Sequence, residues 1–338
     1  MVLNGALNPK LLLILVLGLL FSCENGVSEQ KEKSTKKEQK VQKKIERPSF
    51  NKDSAYAFIK KQVDFGPRVP NTEAHRKTGN YLANKLRSYD FEVIEQEAVV
   101  TSFDKKKLNI KNIIGSYQPD LNNRVLLFAH WDTRPFADAD TKDKDKPIDG
   151  ANDGASGVGV LLEIARQLQI AKPSIGVDII FFDAEDYGQK NDDFPRQSKT
   201  WCLGSQYWCA NPHKAGYTAN YGILLDMVGA KNALFPKEKI ISMRYAPSIV
   251  NKVWNIAYNL GHSDYFIFEE KAYVGEDDHL YVNTLMNIPS IDIIQYDPAS
   301  GGFGDYHHTH ADNMDLIDKN TLQAVGETVL ATVLQEGN

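Results

Sequence analysis

The sequence predicts an α/β protein, a single-domain, three-layer α/β/α arrangement around a central mixed, mostly parallel sheet. Three apolar runs lead there: Val125 to Phe128, Val177 to Phe182 and Ile223 to Leu225. They are continuous rather than alternating, as expected of strands buried on both faces, and helical patterns such as Val158 to Leu168 separate them. Each run also ends in carboxylates or histidine, at the strand end where open α/β sheets bind ligands.

Taken in order, the chain begins with a basic Lys10, an apolar run from Leu11 to Phe21, and Ser22-Cys23. That run is too short to span a bilayer comfortably and is expected to be a removable signal segment over 1–22. Leu20-Phe21-Ser22-Cys23 resembles the lipobox of bacterial lipoproteins, which implies acylation of Cys23, export and a membrane anchor. Residues 23–47 are almost devoid of apolar side chains and are expected to form a charged, solvated tether. The formal net charge of -5 includes the tether lysines, so the remaining domain is more acidic than the total. An acidic domain argues against a nucleic-acid partner.

From 48 to 338 there is no second polar linker and no repeat, so one domain is expected. Asn71 or Thr72 caps a helix running to about Ser88, with Tyr81, Leu82 and Leu86 on its inner face, followed by an extended stretch from Phe91 to Val100. Ser290 to Ile294 adds a fourth apolar strand. Further helices are expected at Ser248 to Leu260, Asp278 to Met286 and Thr321 to Leu334.

Cys202 and Cys209 are the other cysteines. An exported compartment permits a disulfide. On one regular helix the two would stand about 10 Å apart, too far for a bridge, unless Cys202 lies in the loop before it.

The strand ends supply His130, Asp132, Asp153, Glu185, Asp186, Asp226 and His308. Zinc accepts such oxygen and imidazole ligands, and catalytic sites commonly use three with one position open, which Asp153, Asp186 and His308 would satisfy. Adjacent carboxylates such as Glu185-Asp186 at a buried strand end repel each other unless a cation or proton stabilises them.

The segments HWD, GANDGASG, FFDAED, LLDMVGA, EDDH and HHTHAD, together with Phe65-Gly66-Pro67-Arg68, resemble the zinc aminopeptidase superfamily (M28) over about Phe65 to Leu334. Within it, Glu276-Asp277-Asp278-His279 and Leu224 to Ala230 are similar to the animal-type glutaminyl cyclases, here in a bacterial form. The resemblance implies one Zn2+ per chain held by Asp153, Asp186 and His308. It makes Glu185 the general acid/base and Asp226 and Asp277 a hydrogen-bonded carboxylate network. The implied reaction closes an N-terminal glutamine of a peptide or protein to pyroglutamate, releasing ammonia. A monomer is expected.

Three positions depart from the animal pattern. Asp186 replaces a glutamate, His307 a tryptophan and Asp292 a histidine; with Trp201, which follows the long polar insertion Gln189 to Thr200, His307 and Asp292 are expected to form the substrate pocket. Trp201 could equally be core, because pockets and cores use the same aromatics. The rival reading is a two-zinc aminopeptidase in which His130 and Asp226 bind a second ion and Asp153 bridges the pair. A third is a binding lipoprotein that kept the fold without catalysis, which the retention of Glu185 beside every ligand candidate opposes.

Overall fold

Asn51 accepts hydrogen bonds from the backbone N–H groups of Asp53 and Ser54 and so starts helix α1 (Lys52–Val63). Thr72, not Asn71, does the same for α2 (Glu73–Arg87), accepting from the His75 N–H at 3.2 Å. Such a cap contributes about 1 kcal/mol. This computed structural model describes residues 46–190 and 192–337. The expected signal segment, Cys23 and nearly all of the tether lie outside them.

The elements that follow are β1 (Glu92–Thr101), β2 (Lys107–Tyr117), β3 (Arg124–His130), α3 (Ala155–Ala171), β4 (Gly176–Phe182), α4 (Leu203–Ala210) and β5 (Gly222–Asp226). Then come β6 (Phe235–Glu238), α5 (Ser242–Tyr245), α6 (Pro247–Leu260), β7 (Phe266–Ala272), α7 (Asp278–Leu285), β8 (Ser290–Ile294) and α8 (Lys319–Glu336). The main sheet has the order β1-β2-β4-β3-β5-β8. Its β4-β3-β5-β8 half is parallel, while β1 and β2 join antiparallel, which makes the sheet mixed as expected. The short strands β6 and β7 form a separate pair.

Side chains alternate between the two faces of a strand, so each buried strand serves two cores. Leu127 and Ile179 face the larger one, with Ile59 of α1, Leu82 of α2, Leu161 of α3 and Val329 of α8. Leu126, Phe128, Ile180 and Phe182 face the other, with Trp208 of α4 and Val282 of α7. Helices thus cover both faces, giving the three layers. No helix among the described residues is long and apolar enough to cross a membrane.

The apolar runs, the four helices at 155–171, 247–260, 278–285 and 319–336, and the first extended stretch lie where the sequence places them within a few residues. Cys202 does precede α4, as its N-cap residue, yet both it and Cys209 are free thiols.

Candidate active site

Three parallel strands end side by side, and the turns that leave them carry the polar cluster. His130 closes β3, Glu185 and Asp186 follow β4, and Asp226 closes β5. Asp153 lies just before α3, and His307 and His308 on the long segment between β8 and α8. They converge on a cavity of about 250 Å³ lined by Asp153, Glu185, Asp186, Trp201, Asp226, Glu276, Asp277, His307 and His308, with Met227, Val274, Ile294 and Phe303 as apolar wall. A groove of about 470 Å³ between α2 and the β1–β2 pair is larger. Its histidine, His75, is already tied to Asp183 at 2.8 Å, and no cluster of ligating side chains lies there among the described residues.

Other carboxylates hold these turns in place. Asp132 accepts from the backbone N–H of Glu185 at 3.0 Å and of Asp186 at 3.2 Å. Asp312 does the same for Asn152 at 2.7 Å and Asp153 at 3.0 Å. Arg68, buried, donates to the carbonyls of Trp131, Asp149 and Gly150, closing the loop between them. Gly154 completes this loop at φ 94°, with the Asp132 carbonyl only 2.6 Å from where a Cβ would stand, so a side chain is excluded there.

His308 Nε2 lies 3.2 Å from Asp186 Oδ1 and 3.7 Å from Asp153 Oδ2. Donor atoms around a tetrahedral zinc with bonds near 2.0–2.1 Å are about 3.3 Å apart, so the spacing suits that ion. Asp186 adds a stronger sign: it is buried, and neither of its oxygens accepts a hydrogen bond. A buried carboxylate without hydrogen bonds is stabilised by a cation or a proton, and the nearest cation of the chain, the Arg134 guanidinium, stands 3.7 Å from it. The residues present therefore fit zinc. The ligating atoms that cluster most closely around His308 are those of Asp153 and His307, and Asp186 joins them through its contact with His308. A neighbouring group consists of His130, Asp153 and Asp226, in which His130 Nε2 stands 3.1 Å from Asp153 and 3.2 Å from Asp226.

Burial and crowding set the protonation of the cluster. Burial, then the neighbouring Asp186, Asp277 and Asp278 charges, raise the Glu185 carboxyl well above its usual range against the pull of His130. Asp226 is pushed up to about 7, first by burial. For His130 burial works downward, but Asp132, Asp153 and Asp226 outweigh it and hold the imidazole well above its ordinary value. His308 is pulled down to about 4, by burial and then Arg134, which leaves a neutral ring able to ligate. The Cys202 thiol approaches Glu185 Oε1 at 3.3 Å; burial first, then Glu185, raises it well above its usual value, so it stays a thiol.

Of the sequence-derived candidates, Asp153, Glu185, Asp186, Trp201, Asp226, Asp277, His307 and His308 all line the cavity. Asp292 is corrected. It is 1% exposed and absent from the cavity wall, packed behind Asp277 with His279, because β8 turns it into the layer beneath the pocket. Asp277 stands on the cavity wall, and Asp292 does not. Arg134 and Asp312 were not foreseen. Arg134 reaches the Asp186 and Gly188 carbonyls while pairing with nearby Asp138, and Asp312, the last residue of the HHTHAD segment, reaches the N–H groups of Asn152 and Asp153.

A profile of peptidase family M28 matches residues 112–333, well over half of the chain. Among solved structures, the glutaminyl cyclase of Bacteroides thetaiotaomicron bound to N-acetylhistamine is 53% identical with a TM-score of 0.83, covering 86% of this chain and 99% of that one. A Zn-dependent exopeptidase from Parabacteroides distasonis has the same identity, TM-score and coverage. The aminopeptidase YwaD of Bacillus subtilis is 27% identical over 275 residues, covering 80% of this chain, and a glutaminyl-peptide cyclotransferase of Gloydius blomhoffii is 27% identical over 254 residues, covering 66%. The chain spans 54% and 65% of those two proteins, respectively. The matched span contains every strand end that supplies the cavity's donors, and the protein is a member of peptidase family M28.

Proposed function

We infer that this protein is a zinc-dependent glutaminyl-peptide cyclotransferase, converting N-terminal glutamine to pyroglutamate. The observation that carries the reading is 53% identity, over nearly the whole of the other chain, to a bacterial glutaminyl cyclase, in a protein whose own cavity pairs a buried carboxyl, Glu185, with a donor set suited to zinc. Asp153, Asp186 and His308 would hold one ion per chain. When bound, it would supply Lewis-acid polarisation of the substrate's side-chain amide carbonyl.

The remaining work belongs to the chain. The α-amine nitrogen of the substrate forms a bond to its own side-chain amide carbon, the bond to the amide nitrogen breaks, and ammonia leaves. Glu185 accepts the proton of the attacking amine and returns it to the departing nitrogen, a task suited to a carboxyl raised by burial. Asp226 and Asp277, on the cavity wall, receive the substrate's amino group. The small volume holds the glutamine folded on itself and keeps water, the competing nucleophile, away.

One arrangement favours a second reading. His130, Asp153 and Asp226 form a donor group that would accept another ion, as a two-zinc aminopeptidase requires. Incubation with Gln-headed and Leu-headed peptides, followed by mass, separates the two. Loss of ammonia from the first with one zinc per chain supports the cyclase; release of the first residue with two zincs supports the peptidase.

From the apolar run Leu11 to Phe21 and the tetrad ending in Cys23 we further propose that the enzyme is exported and anchored through acylated Cys23, with residues 23–47 as spacer, and that it is a monomer. Cys23→Ala should move the protein from the detergent phase to the aqueous phase.

A further inference from the structure

A column of stacked groups runs along one wall of the cavity. The Arg134 guanidinium lies over the Trp201 indole at 4.5 Å. Trp201 is parallel to His308, 8° between planes and 5.8 Å between centroids. His308 stacks on His307 at 3.6 Å and 25°, and His307 meets Phe303 at 4.7 Å.

Elsewhere in proteins the ring of a metal-binding histidine is usually fixed by a hydrogen bond from its second nitrogen to a carboxylate. Here, among the described residues, no carboxylate lies within hydrogen-bond distance of that nitrogen. The nearest carboxylate, Asp138, stands 3.8 Å from His308 Nδ1, and both its oxygens are engaged by Arg134 at 2.6 and 2.7 Å. His308 moreover adopts φ 56°, in the left-handed region that residues other than glycine seldom occupy. Flat contacts on its ring remain to set the imidazole plane.

The column depends on an opening in the chain. A Cβ at Gly188 would fall inside the Trp201 indole, on its Cγ, Cδ2 and Cε2 atoms. The φ of Gly188 lies outside the left-handed region, so the backbone itself would accept any residue. The three atoms nearest to such a Cβ all belong to the indole. Arg134 fastens the same spot, donating to the Asp186 carbonyl at 3.0 Å and the Gly188 carbonyl at 3.4 Å.

We propose that Trp201, admitted by the bare Gly188 and backed by Arg134, is a positioning residue for His308, setting the imidazole plane for the zinc ion. This rests on the assignment of His308 as a ligand. Trp201 then has a task beyond that of cavity wall, one that shows in metal affinity without any substrate.

The test is zinc affinity of the full folded domain, measured by competition with a chromogenic chelator, with circular dichroism as a check on folding. Trp201→Ala and Gly188→Ala should each weaken zinc binding by about tenfold or more, the scale for lost supporting contacts around a metal ligand. Trp201→Phe, which keeps a flat ring, should recover most of that loss. His308→Ala serves as the reference and should weaken binding further than any of them. Affinity within about twofold of wild type in folded Trp201→Ala, with His308→Ala impaired, overturns the proposal alone. An unimpaired His308→Ala overturns the ligand assignment and the proposal together. Should Gly188→Ala fail to fold, the Trp201 pair decides.

Discussion

Buried carboxylates of two kinds stand a few ångströms apart around the cavity. Asp132 and Asp312 each place both oxygens on backbone N–H groups, two per side chain. Asp186 is equally buried, yet neither of its oxygens accepts a hydrogen bond. Burial raises carboxyls of both kinds, Asp312 to about 8 and Asp186 well above its usual value, so acidity does not separate them. Partnership does. The first kind builds the loops. Asp186 faces the cavity beside His308, whereas Asp278 and Asp292, equally without hydrogen bonds, are absent from the cavity wall, so a buried acid is diagnostic of function only when its hydrogen bonds and its position are both accounted for.

Glu185 sits between the kinds, its backbone secured by Asp132 and its carboxyl turned to the cavity, so its replacement should give the largest effect. Glu185→Gln is expected to fold and hold zinc while losing turnover by about two to four orders of magnitude on a Gln-headed peptide, the scale for a positioned acid/base group. Wild-type turnover would remove it from the chemistry.

The two kinds should then part company in stability. Asp312→Ala strands two buried N–H groups and should destabilise the metal-free protein by roughly 2 to 4 kcal/mol in denaturant unfolding. Asp186→Ala removes a carboxylate with no hydrogen bond to lose. Metal-free, it should be at least as stable as wild type, while added zinc should no longer raise its melting temperature. Equal losses in both variants would erase the distinction drawn above.

The smallest effect belongs to Glu327 on α8, remote from the cavity. Burial pushes its carboxyl up, but hydrogen bonds with His262 and Gln323 prevail and hold it below its ordinary value near 4.5. A depressed folded value stabilises fully above the unfolded one and is lost as pH falls through the folded value. Acid unfolding below about pH 4.5 should therefore be less steep for Glu327→Gln than for wild type.

The parallel half of the sheet was legible because its strands are buried on both faces and read as unbroken apolar runs. β2 was not. Its sequence, KLNIKNIIGSY, starts with polar residues facing solvent and contains two asparagines and a glycine, weak strand formers that pairing with β1 and β4 overrides. β6 and β7 escaped for a similar reason, since β7 exposes Glu269, Glu270 and Lys271 in succession. Within the site, residues that offer side chains to the cavity could be read from strand ends. Those that grip backbone could not: Asp312 belongs to the HHTHAD segment, but its partner Asn152 lies 160 positions away, and the residue type alone suits a turn as well. Asp292 misled because its chemistry suits a pocket while its strand turns it one layer deeper.

Asp132 grips the amide nitrogens of two consecutive residues, one with each oxygen, so positions 185 and 186 travel as a single rigid body. The proton carrier and its neighbouring carboxylate therefore share one support, and a longer side chain at 186 would press on a backbone that Asp132 fastens to that of 185.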